Sequence, residues 1–154
     1  VAEDVTAAIA TLAAGAGPGD AVIIFPEGGN FSERRRSRAI ERLRGLGHAD
    51  EAAKAESMHH LMAPKPGGTL AAMAAAPDAD VLLVAHEGLE DLSSLADLWR
   101  GLPMDDVVEV KWWLVESDEL PCDRDLDGQV DWLFDWWSHL DTWIATHRPP
   151  GHSR

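Results

Sequence analysis

The stretch AVIIFPEGGN, residues 21–30, decides the fold that the sequence predicts. Residues 21–25 form a continuous apolar run that ends at proline and glycine, which is typical of a strand buried on both faces of a parallel sheet. Ser32 is a suitable N-cap for a helix that reaches about residue 46, where glycines mark its end. A buried strand followed by a tight turn and a helix is the repeating unit of α/β domains.

The same alternation continues on both sides of this stretch. Apolar spacing and composition predict further helices at residues 2–14, 48–59, 69–76 and 125–146. Apolar runs predict further strands at residues 81–85 and 107–115. We therefore expect an α/β domain with a largely parallel sheet flanked by helices, covering residues 1–148 and followed by a tail at residues 149–154.

The charge distribution restricts the partners. A formal net charge of −14 over 154 residues argues against broad binding to nucleic acid or to anionic lipid, whose phosphates would be repelled. Six of the 13 basic residues nevertheless fall between positions 34 and 44, and we call this segment the basic cluster. An acidic domain with one basic cluster indicates a local anion site. No segment has the roughly 18 consecutive apolar residues of a membrane span.

The turn after the first predicted strand is the best candidate for that anion site. Pro26 fixes the exit direction of the chain, and Glu27 follows at the strand tip. Gly28 and Gly29 permit a close backbone approach, with positive φ if it is required. The helix that begins near Ser32 directs free amide groups into the same space, which suits a phosphate. An ordinary strand-to-helix turn with a solvated glutamate explains the pattern equally well.

Three blocks of this sequence resemble the glycerolipid (lysophospholipid) acyltransferases of the 1-acylglycerol-3-phosphate acyltransferase type. Phe-Pro-Glu-Gly-Gly-Asn at 25–30 resembles their Phe-Pro-Glu-Gly-Thr-Arg block, and Phe-Ser-Glu at 31–33 with the following arginines extends the match. Leu-Met-Ala-Pro-Lys-Pro-Gly-Gly at 61–68 resembles a turn of the same family. The later elements follow in family order. The resemblance implies the C-terminal two-thirds of an acyltransferase domain, truncated at its N-terminus.

This resemblance implies a reaction and a set of site residues. The parent protein would transfer an acyl group from acyl-CoA or acyl carrier protein to a hydroxyl of lysophosphatidic acid or a related lysophospholipid. It would use no metal and no cofactor beyond the acyl thioester, and would work at the cytoplasmic face of a membrane, while the chain itself is expected to be soluble. The acceptor site would comprise Glu27, Gly28, Gly29 and Asn30, with Arg34, Arg35 and Lys65 as phosphate contacts.

Two departures from the family leave a second function open. Gly29 and Asn30 stand where the family has threonine and arginine, and asparagine cannot form a charge-assisted pair with a phosphate. The family's catalytic His-x-x-x-x-Asp block precedes the Phe-Pro-Glu-Gly block, and no histidine precedes Phe25 here. No catalytic residue is therefore assigned, and we expect the isolated chain to be inactive. The alternative is a non-catalytic module that binds an anionic lipid headgroup or a partner protein.

Two histidine motifs are weaker candidates. His86 and Asp91 spell His-x-x-x-x-Asp, but after the Phe-Pro-Glu-Gly block, so we interpret the match as a coincidence; the alternative is a hydrolase that uses this pair. His59 and His60 are adjacent and lack the spacing of metal ligands.

The last predicted helix is amphipathic and rich in tryptophan. Its apolar residues recur every three or four positions and form one stripe. Trp132, Trp136 and Trp143 lie beside that stripe and widen it. A helix packed on the sheet explains this pattern; the functional alternative is peripheral membrane contact through the tryptophans.

Overall fold

The computed structural model describes residues 2–87 and 109–147. The described elements, in chain order, are α1 (Ala2–Gly15), α2 (Glu33–Gly45), α3 (Ala49–Ser57), α4 (Pro66–Ala75), β1 (Val81–Glu87), β2 (Glu109–Val115) and α5 (Leu126–His147). Two single 3-10 turns, Ser117–Glu119 and Pro121–Asp123, lead from β2 into α5.

The sheet differs from the prediction. The described residues are mostly helical, and their sheet has two strands, β1 and β2, which are antiparallel with Val81 opposite Val115 and Glu87 opposite Glu109. The expected α/β fold with a largely parallel sheet is therefore wrong. Burial along β1 alternates from residue to residue, as it does when one sheet face packs on a core and the other does not. An apolar run alone cannot distinguish this arrangement from a strand covered on both faces.

The apolar run at residues 21–25 is the second correction, because it forms no strand. Ile23 is 79% exposed and Phe25 is 80% exposed. A strand requires a partner strand for its amides and carbonyls, and no strand among the described residues pairs with this segment. Its end is instead fixed by turns: the Gly28 amide donates to the Phe25 carbonyl at 3.0 Å, and the Lys65 amide donates to the Pro26 carbonyl at 2.9 Å.

The helices are confirmed close to their predicted bounds. Ser32 caps α2 with an extended backbone, and its hydroxyl accepts a hydrogen bond from the Arg35 amide at 3.3 Å. Gly47, just beyond the end of α2, has a φ of 85°. Helix α4 begins at Pro66, three residues before the predicted start, because proline is well suited to the first helical position.

The core is formed by α5, the inner face of the β1–β2 sheet and buried residues of α2, α3 and α4. Leu133 and Phe134 of α5 are fully buried, and they pack with Leu83 of β1 and with Met58 at the end of α3. Trp113 packs against this core from β2, while its neighbour Trp112 points to the opposite face, as strand geometry requires.

The longest described helix, α5, has a row of aspartates along one side. Asp127, Asp131 and Asp135 recur every four residues along α5. Within residues 2–87 and 109–147, no helix has both the length and the apolar character needed to cross a bilayer. This agrees with the absence of an apolar span in the sequence.

Candidate functional site

Residues 26–30, which we call the glycine turn, have the backbone that the sequence predicted. Gly28 has a φ of 69° and Gly29 a φ of 149°, in the region that favours glycine. The Arg35 guanidinium closes the turn: Nη2 donates to the Gly28 carbonyl and Nη1 to the Asn30 carbonyl, both at 3.1 Å. The first turn of α2 therefore holds the glycine turn through one of its own arginines.

Lys65 also approaches the glycine turn. A methyl group added at Gly28 would lie 2.5 Å from the Lys65 Nζ, and one added at Gly29 would overlap the Arg35 guanidinium. Both glycines therefore suit the φ of the turn and leave room for these two side chains. As a result, two cations flank a short segment of backbone that has no side chains of its own.

The structure brings together six of the seven predicted site residues. These six are Glu27, Gly28, Gly29, Asn30, Arg35 and Lys65. The seventh, Arg34, lies exposed in the first turn of α2 and is not part of the arrangement that holds the glycine turn.

Glu27 is not the solvated glutamate of an ordinary turn. Its Oε2 accepts a hydrogen bond from the Met62 amide at 3.1 Å. Burial raises the pKa of this carboxyl, and the nearby Asp141 adds to the rise; the Met62 amide, the Trp137 indole and Arg35 oppose it without cancelling it. The Trp137 Nε1 is buried and forms no hydrogen bond of normal geometry with the described residues, although its indole lowers the pKa of the carboxyl.

Asp141 is a second carboxylate of this region, more deeply buried than Glu27, and it was missed in the sequence. It is 5% exposed. Its oxygens accept hydrogen bonds from the amides of His59 at 3.1 Å, His60 at 2.7 Å and Leu61 at 2.8 Å. Because the Met62 amide bonds to Glu27, two carboxylates bind four consecutive amides. The signal was present: Asp141 follows Trp137 by four residues and so lies on the buried stripe of α5.

Arg36 was also missed, because the whole basic cluster was interpreted as an anion site. Its Nε donates to the Met58 carbonyl at 2.7 Å and its Nη2 to the Glu56 carbonyl at 2.7 Å. Arg36 therefore satisfies carbonyls at the C-terminal end of α3. Arg44 pairs with the Glu56 carboxylate. An open groove of about 490 Å³ runs between α2 and α3, but these two arginines on its wall are already paired.

The histidine motifs have no support as sites. His86 lies exposed near the end of β1 opposite Val110, and its predicted partner Asp91 falls outside the described residues. His59 and His60 donate their backbone amides to Asp141. In the part of the chain that the structure describes, no three His, Cys, Asp or Glu side chains are grouped as metal ligands.

Comparison of the chain with family models, with curated proteins and with solved structures found no match.

Proposed function

We propose that this chain forms the acceptor-binding part of an acyltransferase. Its parent protein would transfer an acyl group from acyl-CoA or acyl carrier protein to a hydroxyl of lysophosphatidic acid or a related lysophospholipid, at the cytoplasmic face of a membrane. The sequence resemblance at residues 25–33 and 61–68 supports the reaction class. The observation that carries the proposal is the close approach of Lys65 and Arg35 to the Gly28–Gly29 backbone.

These two cations suit the phosphate of the acceptor. Lys65 provides a compact charge that can move, and the Arg35 guanidinium keeps donors beyond the two that bind carbonyls. The Arg35 contact with the Asn30 carbonyl also places a guanidinium beside the position where the family has arginine. Arg35 would therefore replace the charge that Asn30 lacks.

Glu27 would shape this site without acting as the base. Its Oε2 is bound to the Met62 amide, and its raised pKa favours the neutral form more than in a solvated glutamate. A general base must reach the acceptor hydroxyl, and the family's His-x-x-x-x-Asp pair would supply it from polypeptide outside this chain. The hydroxyl oxygen would then attack the thioester carbonyl, its proton would pass to the histidine, and the thiol would leave.

Binding of the acceptor is tested first, with the chain as it stands. Lysophosphatidic acid below its micellar concentration, and glycerol 3-phosphate, would be titrated into ¹⁵N-labelled protein. We expect shifts at residues 27–30 and a loss of affinity of about tenfold in Lys65→Ala, since a charge-assisted contact contributes on the order of 1.5–3 kcal/mol. Arg35→Lys should weaken binding less than Arg35→Ala. The matched control is Arg38→Ala, an exposed arginine of α2.

Catalysis is tested on the protein expressed from its full gene, by release of CoA thiol from acyl-CoA in the presence of lysophosphatidic acid. Turnover that depends on Lys65 supports the enzyme. Binding with no turnover identifies the alternative, a module that holds an anionic headgroup. If Lys65→Ala, Arg35→Ala and Arg38→Ala bind lysophosphatidic acid with equal affinity, both the enzyme and the binding module are overturned.

A further inference from the structure

A second candidate site lies on the outer side of α5 and shares no residue with the glycine turn. It is an open groove of about 270 Å³ lined by Trp132, Asp135, Trp136 and His139, which we call the aromatic groove. Three of its four residues are aromatic rings, and the fourth is a carboxylate that is 68% exposed. The tryptophans were predicted only as packing residues or as a membrane contact.

The rings of the aromatic groove face in different directions. Trp132 and Trp136 lie 6.4 Å apart between centroids at 69°, and Trp136 and His139 lie 5.6 Å apart at 90°. Trp113 of β2 supports them from below, 6.5 Å from Trp136 and 5.3 Å from His139. Because Trp113 and Trp136 pack on the core, the walls of the groove are held in place.

Two carboxylates lie beside the rings. Lys54 Nζ lies 2.7 Å from Asp135 Oδ1 and 3.0 Å from Asp131 Oδ1, so the two carboxylates share one ammonium. Desolvation alone would lower the pKa of Lys54, but the hydrogen bonds and charges of Asp135 and Asp131 outweigh it and raise that pKa. Lys54 therefore stays charged at neutral pH.

The same cluster already accepts one cation. Lys111 Nζ lies 5.9 Å from the centroid of Trp113, within the range of a cation–π contact. Aromatic faces attract cations through their quadrupole, and the attraction is larger when the cation is poorly hydrated. Sites walled by several aromatic rings recognise quaternary ammonium groups through this attraction.

We propose that the aromatic groove binds a quaternary ammonium group, the trimethylammonium of choline or of a phosphocholine lipid headgroup. A quaternary ammonium donates no hydrogen bonds, so it suits a site in which three of the four lining residues are aromatic rings. Insertion of the tryptophans into a bilayer is disfavoured, because Asp131 and Asp135 are exposed beside them and an anionic surface would repel the acidic chain. This inference goes beyond the acceptor site and stands without it.

The first experiment isolates the charge of the ligand. The indole N–H signals of ¹⁵N-labelled protein would be followed during titration with choline and with 3,3-dimethylbutan-1-ol, which has the same shape but no charge. We expect the signals of Trp132 and Trp136 to shift, and choline to bind at least about fivefold more tightly, the equivalent of a cation–π contribution near 1 kcal/mol. Equal affinity for the two ligands would overturn the proposal.

The second experiment assigns the binding to the groove. Asp135→Asn keeps the shape of the side chain and should weaken choline binding several-fold while leaving the neutral analogue unchanged. Trp136→Leu keeps the site apolar and should abolish the preference for choline. The matched control is Trp112→Leu, since Trp112 is 61% exposed on the outer face of the hairpin and lines no part of the groove. Loss of binding in this control, or none in the other two variants, contradicts the assignment.

The last measurements distinguish binding of a lipid headgroup, binding of free choline and general membrane contact. Vesicles of phosphatidylcholine and of phosphatidylethanolamine differ by three methyl groups in the headgroup. Binding to phosphatidylcholine alone identifies a lipid headgroup, and binding to free choline without either vesicle identifies the small molecule; both support the proposal. Equal binding to both vesicles indicates simple insertion of tryptophan and overturns it. Lys65→Ala should leave all these affinities unchanged, so failure here is distinct from failure at the acceptor site.

Discussion

Half-buried Glu27 and buried Asp141 are carboxylates that bind neighbouring amides of one segment, but they accept different numbers of hydrogen bonds. Asp141 accepts three hydrogen bonds, from the amides of residues 59–61. Glu27 accepts one, from the Met62 amide. For Glu27 the single bond does not offset burial, and its pKa is raised. Asp141 therefore acts as a structural anchor, whereas the carboxylate of Glu27 has fewer hydrogen bonds than it could accept.

The difference identifies which carboxylate is available for function. A carboxylate that is saturated by backbone amides is fixed in place and has little capacity for another ligand. One that is half-buried, with a single amide and one nearby guanidinium, responds to changes in its surroundings, as groups in binding sites commonly do. Glu27, whose carboxylate is near Arg35, is of this second kind.

Breaking the Asp141 anchor should have the largest effect on stability. In Asp141→Asn, one oxygen is replaced by an amide group that cannot accept, which leaves at least one buried backbone N–H without a partner. We expect the free energy of unfolding to fall by about 3 kcal/mol, since unsatisfied buried donors near a charged acceptor cost on the order of 1–3 kcal/mol each. Urea unfolding measures this.

The control for that experiment is Asp135→Asn on the same helix. Asp135 is exposed and pairs with Lys54, so the loss should stay below about 1 kcal/mol. A similar loss in both variants would show that Asp141 contributes only as a surface charge does.

The helices and the glycine turn could be predicted from sequence because their signals are local. Ser32 caps α2 through its own side chain, and the turn at Gly28 and Gly29 needs the φ values that only glycine adopts easily. The sheet could not be predicted in the same way. Residues 21–25 and 81–85 are equally apolar, but only the second has a partner strand, and that partner begins at Glu109. Strand pairing depends on distant residues.

The same distinction between local signals and distant partners applies to the candidate site. Lys65 and Arg35 were named from the motif, and both lie at the turn. Asp141 was overlooked because its partners are amides some 80 residues earlier in the chain, and amides have no sequence signature. Arg36 was assigned to an anion site because a run of arginines does not reveal which one bonds to the carbonyls of another helix.

Gly28→Ala would disturb the turn that holds Glu27. The φ of 69° strains any residue with a Cβ by roughly 1–2 kcal/mol, and Lys65 would also have to move from its present position 2.5 Å from the new methyl group. We therefore expect the free energy of unfolding to fall by about 1–2 kcal/mol. Gly15→Ala is the matched control, because Gly15 has ordinary φ and no atom within 4 Å of the position of an added Cβ. An unchanged stability in Gly28→Ala would mean that the turn is looser than described.

Replacing Glu27 by glutamine should change how stability depends on pH. A carboxyl whose pKa is raised by folding is most favourable to the native state when it is protonated, so its contribution is present at low pH and is lost as the pH rises through the raised pKa. Glutamine resembles the protonated form and can still accept from the Met62 amide. We therefore expect Glu27→Gln to gain stability relative to the native chain as the pH rises from the ordinary carboxyl range to neutrality. A constant difference across that range would contradict the raised pKa.

The smallest expected effect is a change in the pKa of Glu27, and it tests the comparison of Glu27 with Asp141 most directly. Trp137 presents a buried Nε1 that makes no hydrogen bond of normal geometry, yet its indole acts to lower the pKa of Glu27. Trp137→Phe removes this N–H and keeps an aromatic ring, so the pKa of Glu27 should rise further. The change is measurable by ¹³C NMR titration of the Glu27 carboxyl, with Trp112→Phe as the control. A pKa that does not move would leave the Met62 amide and Arg35 as the groups that hold the charged form, and would make Glu27 more dependent on the cations of the glycine turn.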